Sequence, residues 1–164
     1  MTGPGLQMVL RAYGRSGLRA RLREHIRLAQ RFAAWVDGDP DWERLAPAPF
    51  STVCFRLRPR GWAADDARLT PLNERLLEAV NATGEVYLSH AVLPAAAGSA
   101  APLAPGRPGA AEPRPSRYAL RLAVGHIRTE ERHVATAWEI LRAEALRLGA
   151  TPPVVARRGG VGPA

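Results

Sequence analysis

Between Ser16 and Val36 the residues Leu18, Leu22, Ile26, Ala29, Ala33 and Val36 recur at three- and four-residue steps. This spacing draws one apolar stripe along a helix, so the chain must also build a surface for that stripe to lie on. Asp37-Gly38-Asp39-Pro40 terminates the helix, and Gly14 is a natural helix stop for the stretch that precedes it. His25 is expected at the border of the stripe. A second row, Arg15, Arg19, Arg23, Arg27 and Arg31, follows another face and reads as solvated, with Glu24 offsetting part of its charge. The apolar stretch at residues 6–13 (LQMVLRAY) has no cap before it, and its packing partner is expected to lie upstream.

The remaining segments offer the surface. Trp42–Ala46 is a weak strand candidate broken by the Pro47–Pro49 turn, whereas Thr52–Arg58 is β-rich, with Val53, Phe55 and Leu57 on one face. Thr70 and Pro71 suit the N-cap and first turn of a helix that buries Leu72, Leu76, Leu77 and Val80 and closes at Gly84. Glu85–Leu93 and Tyr118–Val124 read as strands, and in the second Leu120 and Leu122 alternate with Arg121. A last helix starts near Thr129, with Glu130 and Glu131 in its first turn, and buries Val134, Ala137, Trp138, Leu141 and Ala145. The succession predicts an α+β fold, a small antiparallel or mixed sheet with helices packed on it. One domain is expected over residues 6–148, with disorder at 1–5, in a loop insertion at 94–116 rich in Ala, Pro and Gly, and in the tail at 149–164.

Several function classes are excluded or weakened. All 23 basic residues are arginine and none is lysine, so the net charge of +8 reads as coding bias more than as a nucleic-acid footprint. Arg107, Arg114, Arg117, Arg157 and Arg158 also lie outside the best-patterned elements. The single cysteine, Cys54, sits in an apolar run and is expected to pack in the core, so no disulfide framework or cysteine metal site is expected. No apolar run approaches the roughly 20 residues that cross a bilayer, and no signal peptide is read, which predicts a cytoplasmic protein. His25, His90, His126 and His133 form no metal-ligand pattern, and His133 is expected to be an exposed helix residue. No serine or cysteine nucleophile has a base and an orienter, so no catalytic residue and no metal is assigned.

The segment VLRAYGRSGLRARLREHIRLAQRFAAWVDGDPDWERLAPAPFSTVCFRL resembles the carboxy-terminal region of the pyridoxal-phosphate-dependent group II amino-acid decarboxylases, which include the aromatic-L-amino-acid decarboxylases. The likeness resumes in LNERLLEAVNATGEVYLSHAVL and in YALRLAVGHIRTEERHVATAWEIL, so it spans residues 6 to 142 around the 94–116 loop. It implies the small carboxy-terminal domain of an aspartate-aminotransferase-like enzyme. It also implies a homodimer, and a large domain, missing or separately encoded, that carries pyridoxal 5′-phosphate and its lysine. A chain without lysine cannot form that linkage, because arginine stays protonated and delocalised. By the resemblance this chain is a fragment inactive alone, with no cofactor bound to it. The parent reaction is loss of the α-carboxylate from an amino acid, aromatic sooner than acidic.

By the same resemblance Arg121 matches a small-domain arginine that approaches the substrate carboxylate, and a guanidinium fork suits that group. Pairing with a surface acid is the plainer account of Arg121. His126, next along the chain, is a possible cleft-lining residue, with packing at the core edge as its plainer account. Tyr13 and Gly14 are expected to shape the domain hinge. Two other readings stay open: a non-catalytic module that binds a decarboxylase chain, and an arginine-rich nucleic-acid binder along Arg15–Arg31.

Overall fold

The computed structural model describes residues 4–62, 65–94 and 116–149, with the backbone alone at 4–13. Its elements are α1 (Pro4–Gly38), β1 (Trp42–Arg44), β2 (Thr52–Leu57), α2 (Asp66–Ala82), β3 (Ser89–Pro94), β4 (Ser116–Ala123) and α3 (Glu131–Arg147). Residues 95–115 and the tail from 150 onward, where disorder is expected, lie outside the described residues.

Gly14 breaks the helical backbone where a stop is expected: its φ of 63° and ψ of 175° belong to a region reserved for glycine. A further helical stretch runs back from it to Pro4, so α1 is two helices joined at a kink. The buried stripe is His25, Leu28, Ala29, Phe32, Ala33 and Val36, which moves the histidine from the border into the core. Leu18 and Leu22 continue the same face one turn after another, yet Leu22 is 53% exposed. At a step of 100° per residue Leu18 lines up with Val36 and Leu22 falls between Ala29 and Ala33, so orientation is not the reason. In this half α1 has run past the sheet, and no described element covers it.

The sheet has the order β1-β2-β4-β3 and is antiparallel throughout. Val53 pairs with Leu122 and Phe55 with Leu120, so the alternation of both strands turns their large apolar residues to the same side. There α1, α2 and α3 meet them in one core. β1 keeps only three residues of its expected run, and β3 begins at Ser89 rather than Glu85.

The helix expected to open at Thr70 opens a turn earlier. The Asp65 carboxylate accepts from the Ala67 amide at 3.0 Å and caps α2, which leaves Pro71 inside the helix. The extra turn places Leu69 and Asn73 in buried positions beside Leu72, Leu76 and Val80. Asn73 has a particular task. The β2–β4 ladder ends at Phe55, and Leu57, two residues on, presents its peptide groups to the same side with no strand to meet them. The Asn73 side chain accepts from the Leu57 amide at 2.8 Å and donates to its carbonyl at 2.9 Å, replacing the missing strand pair. Thr83 ends the helix, and Gly84 takes the left-handed turn beyond it (φ 73°).

Aromatic rings lock the layers. Phe32 of α1 meets Phe55 of β2 at 5.1 Å and Trp138 of α3 at 5.6 Å, both edge to face. Trp42 of β1 closes the group, 5.9 Å from Phe55 and 5.2 Å from Trp138. Edge-to-face contacts suit the ring quadrupoles and add to the burial of apolar area. Phe32→Ala is therefore expected to lower stability by about 3–5 kcal/mol. Asn73→Leu is expected to lower it by about 1–3 kcal/mol, because the Leu57 peptide groups lose their partner. Urea denaturation of both variants checks this, and an unchanged midpoint for Asn73→Leu would contradict the bridging role.

Candidate functional site

Arg121 lies mid-strand on β4, between two buried neighbours, Leu120 and Leu122, that face the helices. Alternation therefore turns Arg121 to the opposite side. Register puts Cys54 of β2 directly across from it on one flank and Ser89 of β3 on the other. Around this row the sheet is open: Arg121 and Ala123 are exposed, and Thr52, Cys54, Ser89 and Ala91 are half-buried. Small residues thus surround one guanidinium. Arg27, Arg31, Arg44 and Arg56 all pair with carboxylates, but no described carboxylate pairs with Arg121. Pairing with a surface acid, the plainer account of Arg121, is not what the described residues show.

Cys54 stands on this face instead of packing in the core beside Val53 and Phe55. Partial burial pushes its thiol up from the ordinary range, and the positive charge of Arg121 acts in the opposite sense. On the helix-facing side Tyr118 is also pushed up, by burial first and then by the carboxylates of Glu74 and Glu78. Its ring stacks on His90 with centroids 5.2 Å apart.

His126 is not brought to Arg121. It is exposed, its Nδ1 accepts from the Arg128 amide at 3.2 Å, and it lines a cleft of about 180 Å³ between the α2–β3 loop and the start of α3. Tyr87 and His133 stand in the same cleft over a floor that includes Leu122 and Val134; Arg121 is not part of it. Gly14 holds its positive φ, while the Tyr13 side chain lies outside the described residues.

The arginine row on α1 is partly neutralised. Arg27 pairs with Glu24 at 2.8 Å, and both Arg27 and Arg31 reach Glu131 of α3, at 3.2 and 2.7 Å. Sequence reasoning missed the most enclosed charge. Arg56, on β2, is 2% exposed and held by Glu43 and Asp66, whose carboxylates arrive from β1 and from the first turn of α2. Only the three-dimensional meeting of those elements marks it, since alternation alone assigns Arg56 to an outer face. Among the described residues no group of three or more His, Cys, Asp or Glu side chains gathers as a metal site.

No family model matches the chain. Over 140 residues it is 37% identical to tyrosine decarboxylase 2 of Arabidopsis thaliana, which covers 85% of this chain and 22% of that protein. It is 36% identical over 140 residues to the phenylacetaldehyde synthase of the same plant, covering 85% of this chain and 24% of the synthase. The crystal structure of Catharanthus roseus tryptophan decarboxylase in complex with L-tryptophan superposes with a TM-score of 0.66 at 31% identity, covering 87% of this chain and 25% of that one. The matched part is the carboxy-terminal quarter of such proteins.

By homology the chain belongs with the carboxy-terminal region of the aromatic amino-acid decarboxylases.

The chain spans about a quarter of the length of the relatives it matches. The decarboxylase-type α+β fold and the order of its segments agree with the likeness read from residues 6 to 142. The Cys54–Arg121 juxtaposition gives this region a chemical handle. Arg121→Gln is expected to slow alkylation of Cys54 by iodoacetamide at pH 8–9, since losing the nearby positive charge raises the thiol further and lowers the thiolate fraction. Equal rates in both proteins would show that the two side chains do not meet across the sheet.

Proposed function

We propose that this chain is the small carboxy-terminal domain of a pyridoxal-phosphate-dependent decarboxylase acting on aromatic amino acids. The 37% identity to tyrosine decarboxylase 2 across 85% of the chain carries this reading. The solved relatives include a rice tryptophan decarboxylase with the cofactor bound. The cofactor acts as an electron sink for the bond to the carboxylate. The residues present here do not suffice to hold it covalently, because none of the 164 is lysine. We therefore assign the cofactor and its lysine to a large domain supplied by the rest of the enzyme, and expect this chain alone to bind none and to be inactive.

Within that enzyme the open sheet face around Arg121 is our choice for the boundary with the large domain. Leu22, exposed on the stripe of α1 on the helix side of the sheet, is a separate apolar position open to contact. Arg121 would meet the substrate carboxylate, since its planar fork offers paired donors and no described side chain occupies them. Desolvation at a domain boundary would strengthen that contact. His126 remains a candidate for the cleft edge, and Gly14 for the hinge. By the resemblance the enzyme is a homodimer. A cytoplasmic location belongs to the same proposal, and no described helix is long and apolar enough to cross a membrane.

The chain is to be joined behind the preceding three quarters of a tyrosine decarboxylase and assayed for release of carbon dioxide from tyrosine and tryptophan. The chimera is expected to be active, and the chain alone inactive with added cofactor. Arg121→Leu in the chimera is expected to lower kcat/KM by roughly 10- to 100-fold, the value of a lost charge-assisted pair. An inactive but folded chimera would contradict the domain assignment, and a fully active Arg121→Leu chimera would remove the carboxylate role.

A further inference from the structure

The residue at the third position of α3 is His133, and its Nδ1 accepts a hydrogen bond from the backbone amide of the N-cap residue Glu130 at 3.0 Å. In the usual capping box a Glu or Gln side chain at this position reaches back to the N-cap amide. Here an imidazole takes that part. Seven residues earlier, in the chain's approach to the helix, the His126 Nδ1 likewise accepts from a backbone amide, that of Arg128 at 3.2 Å. Both ends of the β4–α3 connection are thus braced by imidazole lone pairs facing N–H donors.

An imidazole with Nδ1 as acceptor is neutral and carries its proton on Nε2. Protonation at Nδ1 converts the acceptor into a donor pointing at a donor, and the bond cannot survive. A Glu or Gln in the same place would remain an acceptor at any pH near neutrality. Histidine is the side chain whose charge ordinarily changes between pH 5 and 8. We infer that His133 makes the start of α3 an acid-released cap, and that His126 does the same for the connection leading into it.

The consequence reaches beyond one helical turn. Glu131, the next residue after the cap, binds Arg27 and Arg31 and so joins α3 to α1. The Ile127 carbonyl, between the two histidines, accepts from Arg21 of α1. Release of the cap loosens the segment that makes both attachments and that forms one wall of the cleft holding Tyr87. The charged and titratable groups around His133 are mixed. Arg21 and Glu24 face it from α1, Arg128, Glu130, Glu131 and Arg132 from its own segment, and Glu85 and Tyr87 from the α2–β3 loop. Buried His25 of α1 lies beside Ile127 and Thr129 of the same connection. Acid and base thus stand on both sides, and the comparison with His133→Gln separates the capping ring from these groups. None of this depends on the decarboxylase assignment.

The full-length chain, labelled with nitrogen-15, is to be titrated by NMR from pH 8 to pH 5. The Glu130 amide resonance is expected to move with the His133 ring, and the Arg128 amide with the His126 ring. In His133→Gln, which keeps an acceptor at the capping position, the Glu130 amide is expected to stay fixed while Arg128 still titrates. In thermal melts the fall in Tm between pH 7.5 and pH 5 is expected to be about 2–4 °C smaller for His133→Gln than for the parent. A Glu130 amide that does not move in the parent, or that moves equally in His133→Gln, would overturn the inference. So would equal losses of Tm in the two proteins.

Discussion

The pairing of β2 with β4 in a single register decides what this domain can do. Val53 against Leu122 and Phe55 against Leu120 send the bulky apolar groups to the helices, and the same step sends Cys54, Arg121 and Ser89 to the other face. Because side chains alternate with a period of two, a slip of β4 by one residue would drive the Arg121 guanidinium into the core and expose Leu120 and Leu122. Burying an unpaired guanidinium is prohibitive on the scale of a domain's whole stability. The ring cluster of Phe32, Trp42, Phe55 and Trp138 acts in the same way on the pairing of β1 with β2, since Trp42 and Phe55 lie on those strands. The fold and the exposed arginine are two results of one constraint.

Much of this was legible in the residues. Alternation in Thr52–Arg58 and Tyr118–Val124 marked both central strands, which the structure places at Thr52–Leu57 and Ser116–Ala123 with Val53, Phe55, Leu57, Leu120 and Leu122 buried. The α3 stripe of Val134, Ala137, Leu141 and Ala145 also lies where its spacing put it. Errors arose where tertiary context overrode a local signal. Leu22 has the correct helical phase but no described element opposite it. Pro71 reads as a helix start, and the Asp65 cap one turn earlier outcompetes it. Arg56 and Asn73 carry no signal in periodicity, because their roles depend on a carboxylate from another element and on a strand ending two residues short. The open site was half legible: Arg121 was marked by resemblance, whereas its flanking by Cys54 and Ser89 needed the register.

Homology supplies a limit as well as a family. A decarboxylase and a phenylacetaldehyde synthase match this chain at 37% and 36% identity over equal lengths. Overall identity across this region therefore does not tell the two relatives apart. On the proposed reading the small domain contributes shape and a guanidinium, and the reactive amine belongs to the large domain, because none of the 164 residues is lysine.

Cys54 offers the most direct test, because it sits beside Arg121 on the face proposed to meet the large domain. Its alkylation is to be followed by mass spectrometry in the chain alone and in the chain joined to the lysine-bearing part of a relative. The account expects Cys54 to react in the isolated chain and to be protected in the joined protein. Equal reactivity in both would mean that the open sheet face still meets solvent when the enzyme is whole, and would contradict the proposed boundary.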